Sequence, residues 1–413
     1  MTNRPDYLSA RDALAALDVK AQTLYAYVSR GWIRSVSQAG TRERLYSRED
    51  VDKVRMRSVA RAGHGPAAAT AMRWGEPVIH SSITEITPEG PRYRGRLATE
   101  LARAGLPFEV TADFLWTGVW DESTRAWPVA RAPAAFNAVA DELAQRFPGT
   151  RFRQMLAFLV QSLAAAQEGN PEAKLGSTVL AARQLLQVLA GAFGYLRDVR
   201  FVAPAADERI AQTLVRALGA KLDAAALAAI DAVLTMSADH ELAPSTFAAR
   251  IAASTGANLH ACIISGIAAF DGALTGIGAD QTEDLVRGAR TTLELRRRFR
   301  QLREQGRQAP GFNHPLYPRG DPRAQLLLEL ARRAKRAPPE AVALLEFVAE
   351  AEREFQVYPG LPVGLVAVAL AYGLPARSAG AIFLLGRISG WVAHVQEQRL
   401  AGFLLRPRAK YVP

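Results

Sequence analysis

From about residue 97 to the C-terminus, apolar side chains recur at three- and four-residue spacing. RFRQMLAFLVQSLAAAQ (151–167) and KLGSTVLAARQLLQVLAGAFGYLRD (174–198) show it most clearly. This period puts one apolar stripe on each of a series of helices. Breaks fall at Pro148-Gly149, Pro204, Pro310-Gly311, Pro338-Pro339 and Pro375. Alanine and leucine are abundant and β-branched runs are few, which favours helix again. A mainly α architecture follows, with helices packed on a shared core. A chain of 413 residues, 49% of them hydrophobic, can hold two or three such domains.

Several classes are excluded or disfavoured. The single cysteine, Cys262, leaves no disulfide framework and no cysteine metal site, so no metal is expected. The opening MTNRPDYLSARD has no apolar run of the kind a signal peptide needs. The long apolar stretches near 258–278 and 361–386 are interrupted by Asp, Arg, Pro and Gly. They read as buried helices rather than membrane spans, and a cytoplasmic location is expected. The net charge of +11 suits polyanions or anionic small molecules.

Residues 7–57 read differently. YLSARDALAALDV predicts a short helix with Ser9 as N-cap and Ala13, Leu14 and Leu17 on one face. Asp18-Val19-Lys20 makes a turn, and AQTLYAYVSRG a second helix stopped at Gly31. WIRSVSQAGTRERLYS predicts a small β-wing turning at Ala39-Gly40, and Ser47 caps a further helix. The order of helix, turn, helix and wing resembles the MerR-type DNA-binding module, mainly in TLYAYVSRGWIR and RERLYSREDV. That resemblance implies a recognition helix carrying Gln22, Thr23, Tyr25 and Arg30, with Arg42, Arg44 and Arg48 on or after the wing. Such residues contact phosphates and bases. A protein–protein or dimerisation role is the alternative use of such a module.

Three long strings then occur in order: SADHELAPSTFAAR (237–250), PGFNHPLYPRGDPRA (310–324) and GRISGWVAHVQEQ (386–398), followed by RPRAKY (406–411). Together with YRGR (93–96) and FLWTGVW (114–120) they closely resemble the citrate synthase family, over roughly residues 71–413. The whole chain resembles a bacterial subgroup that fuses a helix-turn-helix to this fold. The domains implied are 1–62 winged helix-turn-helix, 63–72 linker, 73–270 with 372–413 a large helical domain, and 271–371 a small one.

Citrate synthase condenses acetyl-CoA with oxaloacetate, whose two carboxylates call for fixed cations. The planar fork of arginine suits a carboxylate. The resemblance assigns that role to Arg323, Arg387 and Arg406, the last reaching into the other subunit of a dimer. It assigns contacts with the oxo acid to His240 and His314, and His314 would polarise the ketone oxygen. His260 and His394 read as core or structural.

Two catalytic positions depart from the pattern. The family histidine that bonds the forming enolate sits in a string like LHGGA; here DGALTGIGAD puts Thr275 there, and Ile277 replaces a glycine. The family's carboxylate base falls on Pro362, eleven residues before Gly373. Of the three catalytic residues only His314 is kept. The chain therefore reads as a binder of oxaloacetate, citrate or a related carboxylate that is deficient in acetyl-CoA condensation. It would be a homodimer, or a heterodimer with an active paralogue, in a regulatory or partner role. The alternative is an acyl-CoA/oxo-acid condensing or cleaving enzyme with a changed mechanism, in which Thr275 donates to a thioester oxygen. No cofactor is expected, and a coenzyme A thioester enters only as substrate or ligand. The basic helix 294–307 and the loop 308–320 are where its phosphates would lie.

Overall fold

The computed structural model describes residues 7–29, 32–37, 43–48, 50–52, 54–55, 79–123, 126–146, 152–167, 171–197 and 200–407. Contacts divide the chain into two compact units. One is Met1–His80 with Arg406–Pro413; the other is Ser81–Leu405. The expected linker at 63–72 lies outside the described residues. Ser81–Leu405 forms one compact unit; of the expected large helical domain, residues 73–80 and 406–413 are grouped with the other unit.

In the first unit β1 (Tyr7–Leu8) leads into α1 (Ala10–Leu17) and α2 (Ala21–Ser29), and β2 (Ser35–Ser37) and β3 (Arg44–Ser47) follow. The Ser9 side chain accepts from Asp12 N at 3.1 Å and so caps α1, and Asp18 closes it in the left-handed conformation. The strands form an antiparallel sheet in the order β1-β3-β2, with Val36 opposite Leu45. Leu8, Ala13, Leu17, Leu24, Ile33, Tyr46, Val51 and Val54 bury one another in a core of their own. The wing turn at Ala39-Gly40 lies outside the described residues.

The second unit opens with a small antiparallel sheet, β4 (Thr84–Thr87), β5 (Gly90–Tyr93) and β6 (Arg96–Leu97). Helices follow: α3 (Ala98–Arg103), α4 (Phe108–Thr117), α5 (Ala134–Arg146), α6 (Phe152–Ala165), α7 (Pro171–Leu175), α8 (Thr178–Ala192), α9 (Ile210–Ala217) and α10 (Ala224–Ser237). The C-terminal half adds α11 (Pro244–Ser254), α12 (Leu259–Phe270), α13 (Gly278–Val286), α14 (Thr292–Glu304), α15 (Pro322–Arg332), α16 (Pro339–Phe355), α17 (Leu361–Ala371) and α18 (Ser378–Ala401). The described residues are mainly helical, as the periodicity predicts.

The 24-residue α18 is the axis of this unit. It packs on α4, α6, α8, α10, α11, α12 and α17, and every residue from Ser378 to Val395 is buried. It is long and apolar enough to cross a membrane, as is Thr178–Leu196, but its apolar window lies wholly inside the fold. Burial on all sides accounts for its composition. Close approach to α10 depends on glycine. A Cβ at Gly390 would sit 2.3 Å from both Ala238 O and Asp239 Oδ1, so only hydrogen fits there.

One polar cluster is buried away from α18. Glu109 in the first turn of α4 and Asp231 in α10 lie near each other, with Arg209 Nη1 3.3 Å from Asp231 Oδ2. Glu109 accepts from Ile210 N at 2.7 Å, and its other oxygen has no hydrogen-bond partner among the described residues. Burial, and then the neighbouring Asp231, push Glu109 up to about 8; burial pushes Asp231 up to about 6. Both carboxyls hold protons more tightly folded than unfolded. Their contribution to stability is full below about pH 4 and fades as pH rises through these values. Buried His260 and half-buried His240 and His314, held neutral, act in the opposite sense below about pH 6.5. The difference between wild type and Glu109→Gln isolates the carboxyl effect. Thermal melts should show the variant gaining at least about 1 kcal/mol on wild type between pH 5 and pH 9. A constant difference across that range would remove the pair from the pH response.

Candidate active site

The end of α10, the loop before α15 and the middle of α18 converge on one cluster. α15 starts with Asp321 as N-cap and Pro322 in its first turn, which fixes the first helical residues. Asp321 accepts from the Arg323 backbone N at 2.9 Å and from that residue's guanidinium Nε at 3.0 Å and Nη2 at 2.7 Å. The pair is bidentate and buried. Burial opposes the charge on Arg323, but Asp321 outweighs it and raises the pKa. The remaining Nη1 lies 2.7 Å from His240 Nε2. Guanidinium only donates, so His240 Nε2 accepts and its Nδ1 carries the hydrogen. Burial, then Arg323 and Arg387, hold His240 neutral, well below its usual range.

Arg387, in the middle of α18, is paired in the same way. It donates to Asp239 Oδ1 at 2.9 Å, Ala238 O at 3.2 Å and Thr246 Oγ1 at 2.6 Å. The second oxygen of Asp239 accepts from Glu241 N at 3.0 Å and faces His394 Nε2 at 3.2 Å. His394 Nδ1 faces Arg250 Nη1 at 3.2 Å, and Arg250 pairs with Glu397 at 2.6 Å. His394 therefore accepts from Arg250 and donates to Asp239. Burial works to raise the Asp239 pKa, yet His394 and Arg387 hold it below the ordinary carboxylate range. The two arginines are thus each matched by a buried carboxylate.

His314 completes the cluster. Leu316 N donates to its Nδ1 at 3.2 Å, which leaves the hydrogen on Nε2. Burial, then Arg323, lower its pKa and keep it neutral. A neutral Nε2–H is a donor for an oxygen on which negative charge develops. The His314 loop is laced to the chain entering α17. Gly360 N donates to Gly311 O at 2.7 Å, Asn313 N to Tyr358 O at 2.9 Å, and Asp321 N to Pro359 O at 3.0 Å. Phe383 stacks between His240, at 5.2 Å, and Phe270, at 5.1 Å. Phe270 in turn ends α12, just before Thr275.

A family profile described as "Citrate synthase, C-terminal domain" matches residues 71–408. The chain belongs to the citrate synthase family. "Putative citrate synthase 2" of Mycobacterium tuberculosis is 33% identical over 189 residues, 45% of this chain and 51% of the relative. The chain thus spans about half the length of the first relatives it matches. "Citrate synthase 2" of Bacillus subtilis is 25% identical over 359 residues, 83% of this chain and 96% of that one. Among solved structures, the citrate synthase of Thermoplasma acidophilum, a ternary complex with carboxymethyl coenzyme A and oxaloacetate, superposes with a TM-score of 0.69. It is 20% identical over 82% of this chain and 94% of the other, and the likeness shows the fold.

The surroundings of Thr275 and Pro362 are physically explicit. The Thr275 hydroxyl points back to the carbonyls of Ala269, Phe270 and Gly272, at 3.0, 3.0 and 3.1 Å. It caps the end of α12, so its hydrogen is committed. The next residue is fixed too, since a Cβ at Gly276 would lie 2.3 Å from Phe270 O. Arg153, buried in α6, clips the loop at both ends. Its Nη2 is 3.1 Å from Asp271 Oδ1 and from Asp280 Oδ2, and its Nη1 donates to Gly276 O at 3.0 Å. Pro362 sits in the first turn of α17, against Gly278, where a Cβ would be 3.5 Å from its Cγ. It holds no acid or base. Ile277 is half-buried just before α13.

His240, His314, Arg323 and Arg387 are brought together; Arg406 is exposed and belongs to the other compact unit. In the N-terminal unit Gln22 and Tyr25 are exposed on α2, Thr23 is half-buried beside them, and Arg44 and Arg48 are exposed at β3 and just after it. Arg30 and Arg42 lie outside the described residues. No set of three or more His, Cys, Asp or Glu suited to a metal occurs among the described residues. Sequence reasoning passed over Asp239 and Asp321, the partners of the two arginines, although both stand inside the quoted motifs, in ADHE and GDPR. Removing one partner strands the other charge in the interior, typically at about 3–5 kcal/mol. Asp239→Asn should lower unfolding stability by about 3 kcal/mol in a urea titration. A loss under about 1 kcal/mol would show that Arg387 does not depend on it.

Proposed function

We propose that this chain binds a dicarboxylate or tricarboxylate of the oxaloacetate and citrate class and is deficient in condensing it with acetyl-CoA. One observation carries the reading. His240, His314, Arg323 and Arg387 form an ordered cluster of neutral donors and paired guanidinium groups. In the same fold the two enolising positions hold a capping threonine and a proline. Binding and proton abstraction are separate tasks, and only the second has lost its groups. The net charge of the two Arg–Asp pairs is zero, so a dianion needs further positive charge. Arg406 from a neighbouring subunit is the residue assigned to supply it, which makes the site a property of a homodimer or of a heterodimer with an active paralogue. The neighbour from Thermoplasma acidophilum holds oxaloacetate and a coenzyme A analogue, the ligand class proposed here. Arg297, Arg300, Arg303 and Arg307 are exposed on and after α14, where the phosphates of a coenzyme A thioester would find cations. The role that fits is a cytoplasmic metabolite-sensing regulator or partner subunit.

Free-thiol release with acetyl-CoA and oxaloacetate tests the catalytic half, and a thermal shift tests the binding half. Each lost acid–base group is worth roughly 10²–10⁴-fold, so turnover should not exceed about 10⁻⁴ of a working synthase. Ligand at about a hundred times its dissociation constant should stabilise the fold by roughly 2.7 kcal/mol, and Arg406→Ala should abolish the shift. Arg387→Ala is a poorer probe because it strands Asp239. Turnover near 10 s⁻¹, the order of the usual enzyme median, would instead make the chain an active condensing enzyme. No shift with oxaloacetate, citrate, 2-methylcitrate, malate or malonate would leave a structural scaffold.

For the N-terminal unit we propose contact with DNA through α2 and the residues around β3, the dimer presenting two copies to a palindromic site. Exposed Gln22, Tyr25 and Arg44 support it. Arg44→Ala should weaken binding to every duplex and flatten the salt dependence, and Gln22→Ala should change sequence preference. Absence of sequence-selective binding to the protein's own upstream DNA at low salt would make the module a protein–protein element.

A further inference from the structure

We propose that Tyr317 supplies a further ligand-positioning hydroxyl to this site, directed at a carboxylate or ketone oxygen of the bound acid. The inference rests on the carboxylate-binding reading and adds a contact to it. Tyr317 is only 3% exposed, and its hydroxyl has no hydrogen-bond partner among the described residues. Its place is tightly set. Its N donates to His314 O at 2.9 Å, and its carbonyl accepts from Gly320 N at 3.0 Å. Its ring centroid lies 5.8 Å from that of His314 and 5.6 Å from the guanidinium carbon of Arg323. Tyr317 therefore stands against two of the four residues of the cluster.

Arg323 is fully engaged, His314 keeps only its Nε2–H for an incoming oxygen, and the buried Tyr317 hydroxyl has no partner among the described residues. Arg323 gives Nε and Nη2 to Asp321 and Nη1 to His240, and His314 Nδ1 is taken by Leu316 N. Buried phenols almost always find a partner, and leaving one without costs roughly 1–3 kcal/mol. A buried hydroxyl left so beside the open His314 donor is a group kept for a ligand. Burial raises its pKa, so it stays an uncharged donor at neutral pH. Two other unpartnered groups nearby do not share this character. Ser237 Oγ and Trp391 Nε1 are fully buried in helix packing. A Cβ at Gly386 would lie 2.8 Å from Ser237 Cβ, and one at Gly266 2.9 Å from the Trp391 ring. Both residues lie at close helix–helix contacts.

The test is Tyr317→Phe in the full chain, read by calorimetric titration with oxaloacetate and with citrate and by the melting temperature of the ligand-free protein. The variant removes only an unpaired oxygen, so the ligand-free melting temperature should stay level or rise. The dissociation constant for the preferred acid should increase about tenfold, the usual order for one lost hydrogen bond to a charged group. Unchanged affinity would overturn the proposal, whatever the melting temperature does; a lowered melting temperature with unchanged affinity would make Tyr317 a packing residue. Failure of wild type to bind either acid is a different result. It removes the carboxylate-binding reading itself, and this inference with it.

Discussion

The buried carboxylate of Asp239 is the interaction on which the rest of the molecule depends. It lies at the end of one helix and is held by Arg387 from the middle of another, by His394 a little under two turns further on, and by the backbone of Glu241. A charge with no solvent contact is tolerable only when each lone pair is met. Meeting them draws α18 onto α10 closely enough that Gly390 must lack a side chain. The contact sets where His240 emerges and where Arg387 stops. The Glu397–Arg250–His394 chain behind it extends the same constraint to α11 and, through Ser82, to the start of the unit.

The second arginine repeats the device at a helix N-terminus. Asp321 caps α15 through Oδ1 and orients Arg323 with both oxygens, so helix start and guanidinium placement are one construction. Arg323 and Arg387 are held by their own internal partners and do not rely on Thr275 or Pro362. Those two lie on segments with independent anchors, the α12 cap with the Arg153 clip, and the first turn of α17.

Much of this was legible in the sequence. The three- and four-residue spacing gave the helices, and Ser9 marked the first cap. The quoted motifs name four residues that the fold brings together. The pairing logic was less visible, because Asp321 before Pro322-Arg323 reads as an ordinary helix N-cap until burial is known, and Asp239 lies 148 residues from Arg387. Tyr317 was also silent, since an aromatic residue in a Pro-rich loop has no pattern that distinguishes packing from contact. The end of Thr275's side chain could not be read either. A threonine carries the same letter whether its hydroxyl faces a cavity or folds back on a carbonyl, and only the three-dimensional path of residues 270–276 decides it.

That folded-back hydroxyl ties position 275 to the end of α12. A histidine at position 275 would have no hydroxyl to close α12, and its larger ring would have to emerge from a loop fastened at both ends by Arg153 and pressed by Gly276 against Phe270. A substitution there reaches the end of α12 and the Arg153-held loop together, while the Arg–Asp cluster keeps contacts of its own. The two regions can therefore change in sequence separately, each answering to its own set of partners.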